Sequence, residues 1–336
     1  MDKEQMKILE QLMAAGGTTA QRLMASGLNV NSLRTNSLLR KEEWMHYDTA
    51  VIAAAQQRLV GVADLYSRGL VYRVGNGLGK TVLEYEDASD MAAASVSMDG
   101  VTRGRNDRVT FGINYLPLPI THKDWNLSIR VLNASRSGNA QTGNASQLDT
   151  TQARLAALKV SELIETYLFN GSSSFSFGGG TIYGYLDAPN ANTGSLAYPW
   201  DDSSATGSTI LSDVQNMKQA SINDRHYGPW MLYYPTAYDT VLDNDFKANS
   251  DKTIRQRLSE VSGIVGVKCA DKLTSGKVVL VQMTDDVTRM VEGMPITNVE
   301  WTTDGGMISQ FKVMAIMVPH VRCDQDDRSG IVVYSA

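Results

Sequence analysis

"VYRVGNGLGKTVLEYE", residues 71–86, contains a glycine, a lysine and a threonine in the order that ends a phosphate-binding loop. Such a loop reads G-x-x-x-x-G-K-[ST] and joins a buried strand to the N-terminus of a helix. Counting back from Gly79, the first glycine belongs at position 74, where the chain has Val74. The residues that follow alternate apolar and polar side chains, which is typical of a strand. The stretch therefore does not fit a nucleotide-binding loop.

A β-hairpin explains this stretch better. The glycines of "GNGLG" favour a tight turn between a strand "LVYRV" and a strand "TVLEYE". Residues 71–117 alternate at both ends around a polar middle, and they contain too little apolar material to form a core. We therefore expect a long extended hairpin that lies on another subunit. Its charged residues are the candidates for intersubunit contacts: Lys80, Glu84, Glu86, Asp87, Asp90, Arg103, Arg105 and Arg108.

The composition is that of a folded protein without a dominant charge. The chain has 336 residues, of which 43% are hydrophobic and 20% charged, and its formal net charge is −5. This balance gives no sign of a basic nucleic-acid surface, although lysines and arginines are spread along the chain. Cys269 and Cys323 allow one disulfide or, as we expect, two reduced thiols. The first residues lack the apolar run of a signal peptide and no run could span a bilayer, so we expect a cytoplasmic protein.

A long amphipathic helix over residues 149–169 is the clearest predicted element. Asp149 and Gln152 have the spacing of a capping box. From Ala153 to Leu168, apolar residues recur every three or four positions, which predicts one buried face.

A segment of mixed helices and strands follows from residue 207. Its apolar periodicity predicts helices at 209–224 and 252–262. Strands are expected at "WMLYY", "VVLVQM", "ITNVEW", "ISQFKVMAIMV" and "SGIVVYS". Together with the long helix, these elements predict an α+β fold.

No arrangement of catalytic residues emerges from the sequence. The motifs H-E-x-x-H, C-x-x-C and G-x-S-x-G are absent. The acidic run at 324–327 lacks the glycine and the distal glutamate of an EF-hand loop. The four histidines lie in separate segments, at His46, His122, His226 and His320. We therefore expect no enzyme activity, no cofactor and no metal.

The order of the elements and the residues of several stretches are similar to one family. These stretches are "LLRKEEWMHYDTAVIAAAQQRLVGVADL" at 38–65, "LPLPITHKDWNLSIR" at 116–130, "ETYLFNG" at 165–171, "IYGYLDAP" at 182–189 and "GPWMLYY" at 228–234. Together they resemble the major capsid proteins of tailed phages, in a branch that also resembles the encapsulin shell proteins. The resemblance implies the Hong Kong 97-type capsid fold.

The resemblance also implies a division of the chain into segments. These are an N-terminal arm at 1–37, a helical segment at 38–70, an extended loop at 71–117, a peripheral domain at 118–206 with its spine helix at 149–169, an axial domain at 207–310, and strands at 311–336 that return to the peripheral domain.

The function implied by the resemblance is structural. A major capsid protein self-associates into pentamers and hexamers that form an icosahedral phage head enclosing DNA. The implied partners are other copies of the chain, a separate scaffolding protein, a portal, a decoration protein and packaged double-stranded DNA held by non-specific contact. The implied location is the virion, assembled in the bacterial cytoplasm. Some family members crosslink a loop lysine to a neighbour's asparagine, and Lys80 lies in the corresponding region, although its glycine turn suits a lysine of any purpose.

Two alternatives remain open at this stage. The same fold is used by encapsulin nanocompartments, which enclose a cargo enzyme instead of DNA. A soluble enzyme that uses the segment after residue 207 as a ligand domain belongs to a different class, and no converging acid, base or nucleophile supports it.

Overall fold

The computed structural model describes residues 51, 59–89, 91, 93–94, 96–98, 108–129, 151–247, 252–304, 307–323 and 328–336. The predicted N-terminal arm, the start of the helical segment, the Asp149 cap and the acidic run at 324–327 lie outside these residues. The described helices are α1 (Val60–Ser67), α2 (Thr151–Asn170), α3 (Gly207–Asn223), α4 (Asp239–Leu242) and α5 (Ile254–Ser259). The described strands are β1 (Val71–Arg73), β2 (Val82–Ala88), β3 (Phe111–Pro117), β4 (Thr121–Ser128), β5 (Ser172–Phe177), β6 (Gly180–Ile182), β7 (Asn192–Ser195), β8 (Trp230–Tyr234), β9 (Ile264–Cys269), β10 (Lys277–Gln282), β11 (Thr288–Thr303), β12 (Ile308–Val321) and β13 (Ile331–Ser335).

Contacts within the chain define two compact units. The first contains the described residues up to Thr81 and those of Leu118–Thr166 and Met290–Val318. The second contains the described residues of Val82–Pro117, Tyr167–Arg289 and Pro319–Ala336. These units do not follow the boundaries of the predicted segments, because the predicted peripheral and axial ranges each contribute residues to both units.

The first unit contains a four-stranded sheet in the order β1-β11-β12-β4. β1 runs parallel to β11, with Val71 opposite Met290. β12 runs antiparallel to β4, and Trp125 stacks on Phe311 with 4.1 Å between the ring centroids. Five small or branched apolar side chains of α2 are buried in this unit, at the spacing that the sequence predicts: Ala153, Ala156, Ala157, Val160 and Ile164.

The glycine-rich stretch at 75–79 does not join two paired strands, so the predicted local hairpin is wrong. β1 pairs with β11, more than 200 residues away, and β2 pairs with β3. One glycine of the stretch, Gly77, has a different role. A Cβ atom at Gly77 would overlap the carbonyl of Gly293, so the two backbones approach each other as only glycine allows. Nothing lies within 4 Å of a Cβ built at Gly75.

The second unit has its core between α3 and a five-stranded sheet in the order β7-β13-β10-β8-β9. The strand "WMLYY" is buried along its whole length, as expected for a central strand covered on both faces. Indole N–H groups in this core have acceptors: Trp200 donates to Asp213 at 3.1 Å and Trp230 donates to the Ser221 hydroxyl at 2.9 Å. Helix α3 begins after Thr206, which forms a capping box with Thr209.

The last two strands pair with different partners. β12 pairs with β4, a strand of the predicted peripheral segment. β13 lies between β7 and β10, so it joins one strand from the predicted peripheral segment and one from the predicted axial segment.

Candidate intersubunit surface

The centre of this surface is a hairpin formed by β2 and β3. The two strands run antiparallel, with Glu84 opposite Tyr115 and Glu86 opposite Ile113. Because successive side chains of a strand point to opposite faces, the ribbon has one face with Glu84, Glu86, Phe111, Ile113 and Tyr115. The three apolar side chains of β3 on this face are exposed, with 65% exposure for Phe111 and 60% for Ile113. We call these three residues the apolar ribbon face.

The opposite face of the ribbon is anchored within the second unit. Leu116 is buried, and Asn114 donates a hydrogen bond to the Asp87 carboxylate. The Tyr85 ring packs edge-on against His320, with 4.2 Å between the ring centroids. The ribbon therefore has one face held by its own subunit and one face that presents apolar side chains to solvent.

A second hairpin, β5–β6, supports the ribbon at its base. Gly178 and Gly179 have φ values of 63° and 84°, which is the left-handed region that glycine adopts without strain. A Cβ atom at Gly180 would overlap the carbonyl of Tyr115, so this glycine permits direct backbone contact between the hairpins. The many serines and glycines of "GSSSFSFGGG", residues 171–180, predict only a loop. The signal missed is the glycine triplet that follows alternating serine and phenylalanine.

His320 is a buried, neutral base at the anchored face of the ribbon. The Nε–H of Arg289 donates to its Nδ1 at 3.1 Å. Burial, together with the positive charges of Arg289 and Arg322, lowers the pKa of His320 to about 3. Burial also raises the pKa of the neighbouring Tyr85 to about 12, so both rings stay uncharged at neutral pH.

The low pKa of His320 predicts a loss of stability in mild acid. Between pH 6.5 and about 3 the unfolded chain binds a proton at this position and the folded chain does not, so the free energy of unfolding decreases as the pH falls. The decrease from this residue is about 1.4 kcal/mol per pH unit, or about 2 kcal/mol at pH 5. Urea unfolding of the wild type and the His320→Gln variant at pH 7, 6 and 5 measures it. The His320→Gln variant is expected to lose this part of the pH dependence. The control His122→Gln, at an exposed position, is expected to keep it. If the free energy of unfolding changed with pH equally in the wild type and in His320→Gln, the prediction would be contradicted.

The structure describes five of the eight predicted contact residues. Glu84 and Glu86 are exposed on the apolar side of the ribbon, and Asp87 lies on the anchored side, where it accepts the bond from Asn114. Lys80, just before β2, and Arg108, just before β3, are exposed. Asp90, Arg103 and Arg105 lie outside the described residues. The described geometry thus brings Glu84 and Glu86 together on one face and separates Asp87 from them.

Sequence reasoning missed the apolar ribbon face because it selected charged residues only. The signal was present in "VTFGINYLP", where Phe111, Ile113 and Tyr115 alternate with smaller or polar residues. The predicted strand pattern was right, but it did not reveal which face the subunit would leave uncovered.

Among the residues that the structure describes, no group of three or more histidine, cysteine or acidic residues could hold a metal ion. None of the described helices is long and apolar enough to cross a membrane.

Comparison with known proteins gives a fold and a family. No curated protein matches the chain. A virus-like particle from Pyrococcus furiosus aligns with a TM-score of 0.59 and 18% identity over 86% of this chain and 98% of that one. The capsid of the Myoviridae phage XM1 aligns with a TM-score of 0.58 and 11% identity, over 81% of this chain and 91% of that one. The capsid of an empty GTA particle aligns with a TM-score of 0.55 and 11% identity, over 80% of this chain and 88% of that one.

These likenesses confirm the predicted α+β fold, which is the Hong Kong 97-type capsid fold. The sequence pattern of a family described as "Family of unknown function (DUF6260)" matches residues 31–335, nearly the whole chain. The chain therefore belongs to the family of unknown function DUF6260.

Proposed function

We propose that this chain is a major capsid protein, many copies of which assemble into an icosahedral phage head around double-stranded DNA. The observation that carries the proposal is the apolar ribbon face, on a chain with the Hong Kong 97-type capsid fold. Three large apolar side chains in a row on one exposed face of the ribbon leave apolar area in water that contact with another subunit would bury. The role is structural and involves no catalysis.

In this proposal the predicted segments have the following roles. Residues 71–117 supply the extended loop, and its described strands are β1, β2 and β3. Helix α2 is the spine of the peripheral domain, and the segment from residue 207 supplies the axial domain near the capsomer axis. Pentamers and hexamers of the chain form the shell, in the host cytoplasm, with the help of a separate scaffolding protein, a portal and a decoration protein.

Light scattering and negative-stain microscopy of the chain expressed alone test this proposal. We expect closed particles in the megadalton range, or isolated pentamers and hexamers that close when a scaffolding protein is added. A chain that stays monomeric at every concentration, with and without candidate scaffold, would contradict a shell function.

A nanocompartment shell that encloses a cargo enzyme is the second candidate. It draws support from the alignment with the Pyrococcus furiosus virus-like particle, which covers 98% of that chain. The contents of native particles separate the two functions. A capsid is expected to contain double-stranded DNA, and a nanocompartment a single enriched protein.

A further inference from the structure

The dipeptide Asn–Gly occurs twice in the chain, at Asn76–Gly77 and at Asn170–Gly171. Asparagine followed by glycine is chemically labile, because the main-chain nitrogen of the second residue can attack the side-chain amide carbon of the first. Glycine has no Cβ atom to obstruct this approach. The structure holds the two pairs in different ways, so one molecule contains both a restrained and an unrestrained example.

Asn170, at the end of α2, is the restrained example. Its Nδ2 donates to the Lys272 carbonyl at 2.8 Å, and its Oδ1 accepts from the Thr274 hydroxyl at 3.0 Å. The nitrogen of the next residue, Gly171, donates to the Tyr167 carbonyl at 3.0 Å. The carboxamide and the attacking nitrogen are thus both engaged, and three hydrogen bonds must break before these groups can meet.

Asn76, in the turn between β1 and β2, is exposed and far less restrained. Within the described part of the chain, no hydrogen bond holds its carboxamide or the N–H of Gly77. The carboxamide lies over the turn, since a Cβ atom built at Gly79 would be 2.6 Å from its nitrogen. The Gly79 N–H donates to the main-chain carbonyl of Asn76 at 2.9 Å, and rotation of this peptide group breaks that bond.

The residue before Asn76 gives the turn the freedom that the attack requires. Asn76 has a φ of 55°, and its peptide group must rotate for the Gly77 nitrogen to reach the carboxamide carbon. Gly77 is itself packed against Gly293. Gly75, in contrast, is exposed, and nothing lies within 4 Å of a Cβ atom built there. Rotation at Gly75 can therefore move Asn76 without displacing the packed backbone.

We infer that Asn76 is a site of spontaneous deamidation, with water as the co-reactant. The Gly77 nitrogen forms a bond to the side-chain carbon of Asn76, the bond from that carbon to the amide nitrogen breaks, and ammonia leaves with the proton from Gly77. Water then opens the resulting succinimide at either carbonyl. One product has aspartate at position 76, and the other has isoaspartate, in which the main chain runs through the former side-chain carbon. No group is oxidised or reduced.

Both products change the turn, whatever the chain assembles into. Each replaces a neutral carboxamide with a carboxylate, and isoaspartate also adds one carbon to the main chain beside Gly77. Gly77 and Gly293 approach each other as only glycine allows, so a longer main chain here is expected to disturb that contact. Val74, whose N–H donates to the Glu292 carbonyl at 2.9 Å, should then exchange its amide hydrogen faster.

Peptide mapping of the purified full-length chain tests the assignment. The chain is incubated at pH 6 and at pH 8 in water enriched in a heavy oxygen isotope, and mass spectrometry follows the peptides that contain residues 76 and 170. Each deamidation during the incubation places one heavy oxygen in the new carboxylate. One hydrogen bond changes such a rate about fivefold, and Asn170 has two more to break, so we expect residue 76 to react about tenfold faster or more. Both rates should rise with pH, because the attacking nitrogen must lose its proton.

Two variants and an unfolded peptide with the sequence of residues 70–84 provide the controls. Asn76→Gln keeps an amide at the exposed position but requires a larger ring, so it is expected to stay intact. Thr274→Val, also at an exposed position, frees one atom of the Asn170 carboxamide and is expected to speed deamidation there about fivefold, with no change at residue 76.

An Asn76 that stays intact in the folded chain while the peptide deamidates would overturn the inference, as would equal rates at residues 76 and 170. The readout does not require assembly, so a failure of the proposed shell function would leave this result unaffected.

Discussion

Replacing Phe111 and Ile113 together by aspartate is expected to abolish shell assembly and leave the subunit folded. Both side chains are mostly exposed in the isolated chain, so the fold gains little from them. In an assembled shell we expect them to be buried, and each large apolar side chain then contributes about 1.5 kcal/mol or more. Losing about 3 kcal/mol from one contact weakens it by about 100-fold, and a closed shell repeats that contact in every subunit.

Aspartate weakens the intersubunit contact more than the loss of buried apolar area alone would. Ile113 lies opposite Glu86 in the ribbon, so an aspartate at 113 places like charges side by side. These two like charges cost little free energy while water surrounds them, but they cost much more when a neighbouring subunit buries them. Negative-stain microscopy and light scattering measure assembly, and circular dichroism with urea unfolding measures the fold.

The matched control is Val265→Asp, which puts the same charge at another exposed strand residue of the second unit. It is expected to assemble normally, and, when unassembled subunits are compared, both variants should unfold within about 0.5 kcal/mol of the wild type, as is usual for exposed positions. If the Phe111→Asp, Ile113→Asp chain formed normal shells, the apolar ribbon face could not be part of the interface.

Elements with strong local patterns could be predicted from the sequence alone. The apolar stripe of α2 predicted a helix at 149–169, and the structure has Thr151–Asn170. The strand "WMLYY" was expected as a short run of apolar and aromatic residues and is β8. In both cases the residues that determine the element lie within it, so the local sequence pattern was sufficient.

Pairing between distant strands could not be predicted in this way. The turn at 75–79 has the composition of a hairpin turn, and nothing near it in sequence shows that Val71 pairs with Met290. The role of Gly77 depends equally on Gly293, which approaches it in space. For the candidate interface, charge composition selected residues of this hairpin, but only the Tyr85–His320 contact shows which face of it is anchored and therefore which face its own subunit leaves uncovered.

Glu165 is another residue whose role depends on a distant partner. It belongs to α2, is 1% exposed, and places Oε1 2.7 Å from the backbone nitrogen of Gly61, 104 residues earlier. Its Oε2 accepts from the nitrogen of Val62 at 3.4 Å. These N–H groups are at the start of α1, where the preceding residue, Leu59, provides no side-chain cap. The carboxylate of one helix therefore caps the N-terminus of another.

Replacing Glu165 with alanine is expected to lower the free energy of unfolding by about 3 kcal/mol. The substitution leaves two buried N–H groups without acceptors, and each such group costs about 1–3 kcal/mol. Glu165→Gln retains one carbonyl acceptor and loses the negative charge at the helix start, so its loss should be about 1 kcal/mol. Urea unfolding followed by circular dichroism measures both, in the Phe111→Asp, Ile113→Asp background, because assembly would otherwise add its own stabilisation.

Glu162 provides the control, three residues earlier on the same helix. Its carboxylate pairs with the exposed Lys159 at 2.9 Å, and surface pairs of this kind contribute about 0.5 kcal/mol or less. Glu162→Ala should therefore unfold nearly as the wild type does. If Glu165→Ala were equally mild, the capping of α1 by α2 would contribute little to stability. A large loss confined to Glu165→Ala, with Glu165→Gln intermediate, would show that the buried carboxylate holds the start of α1 in place.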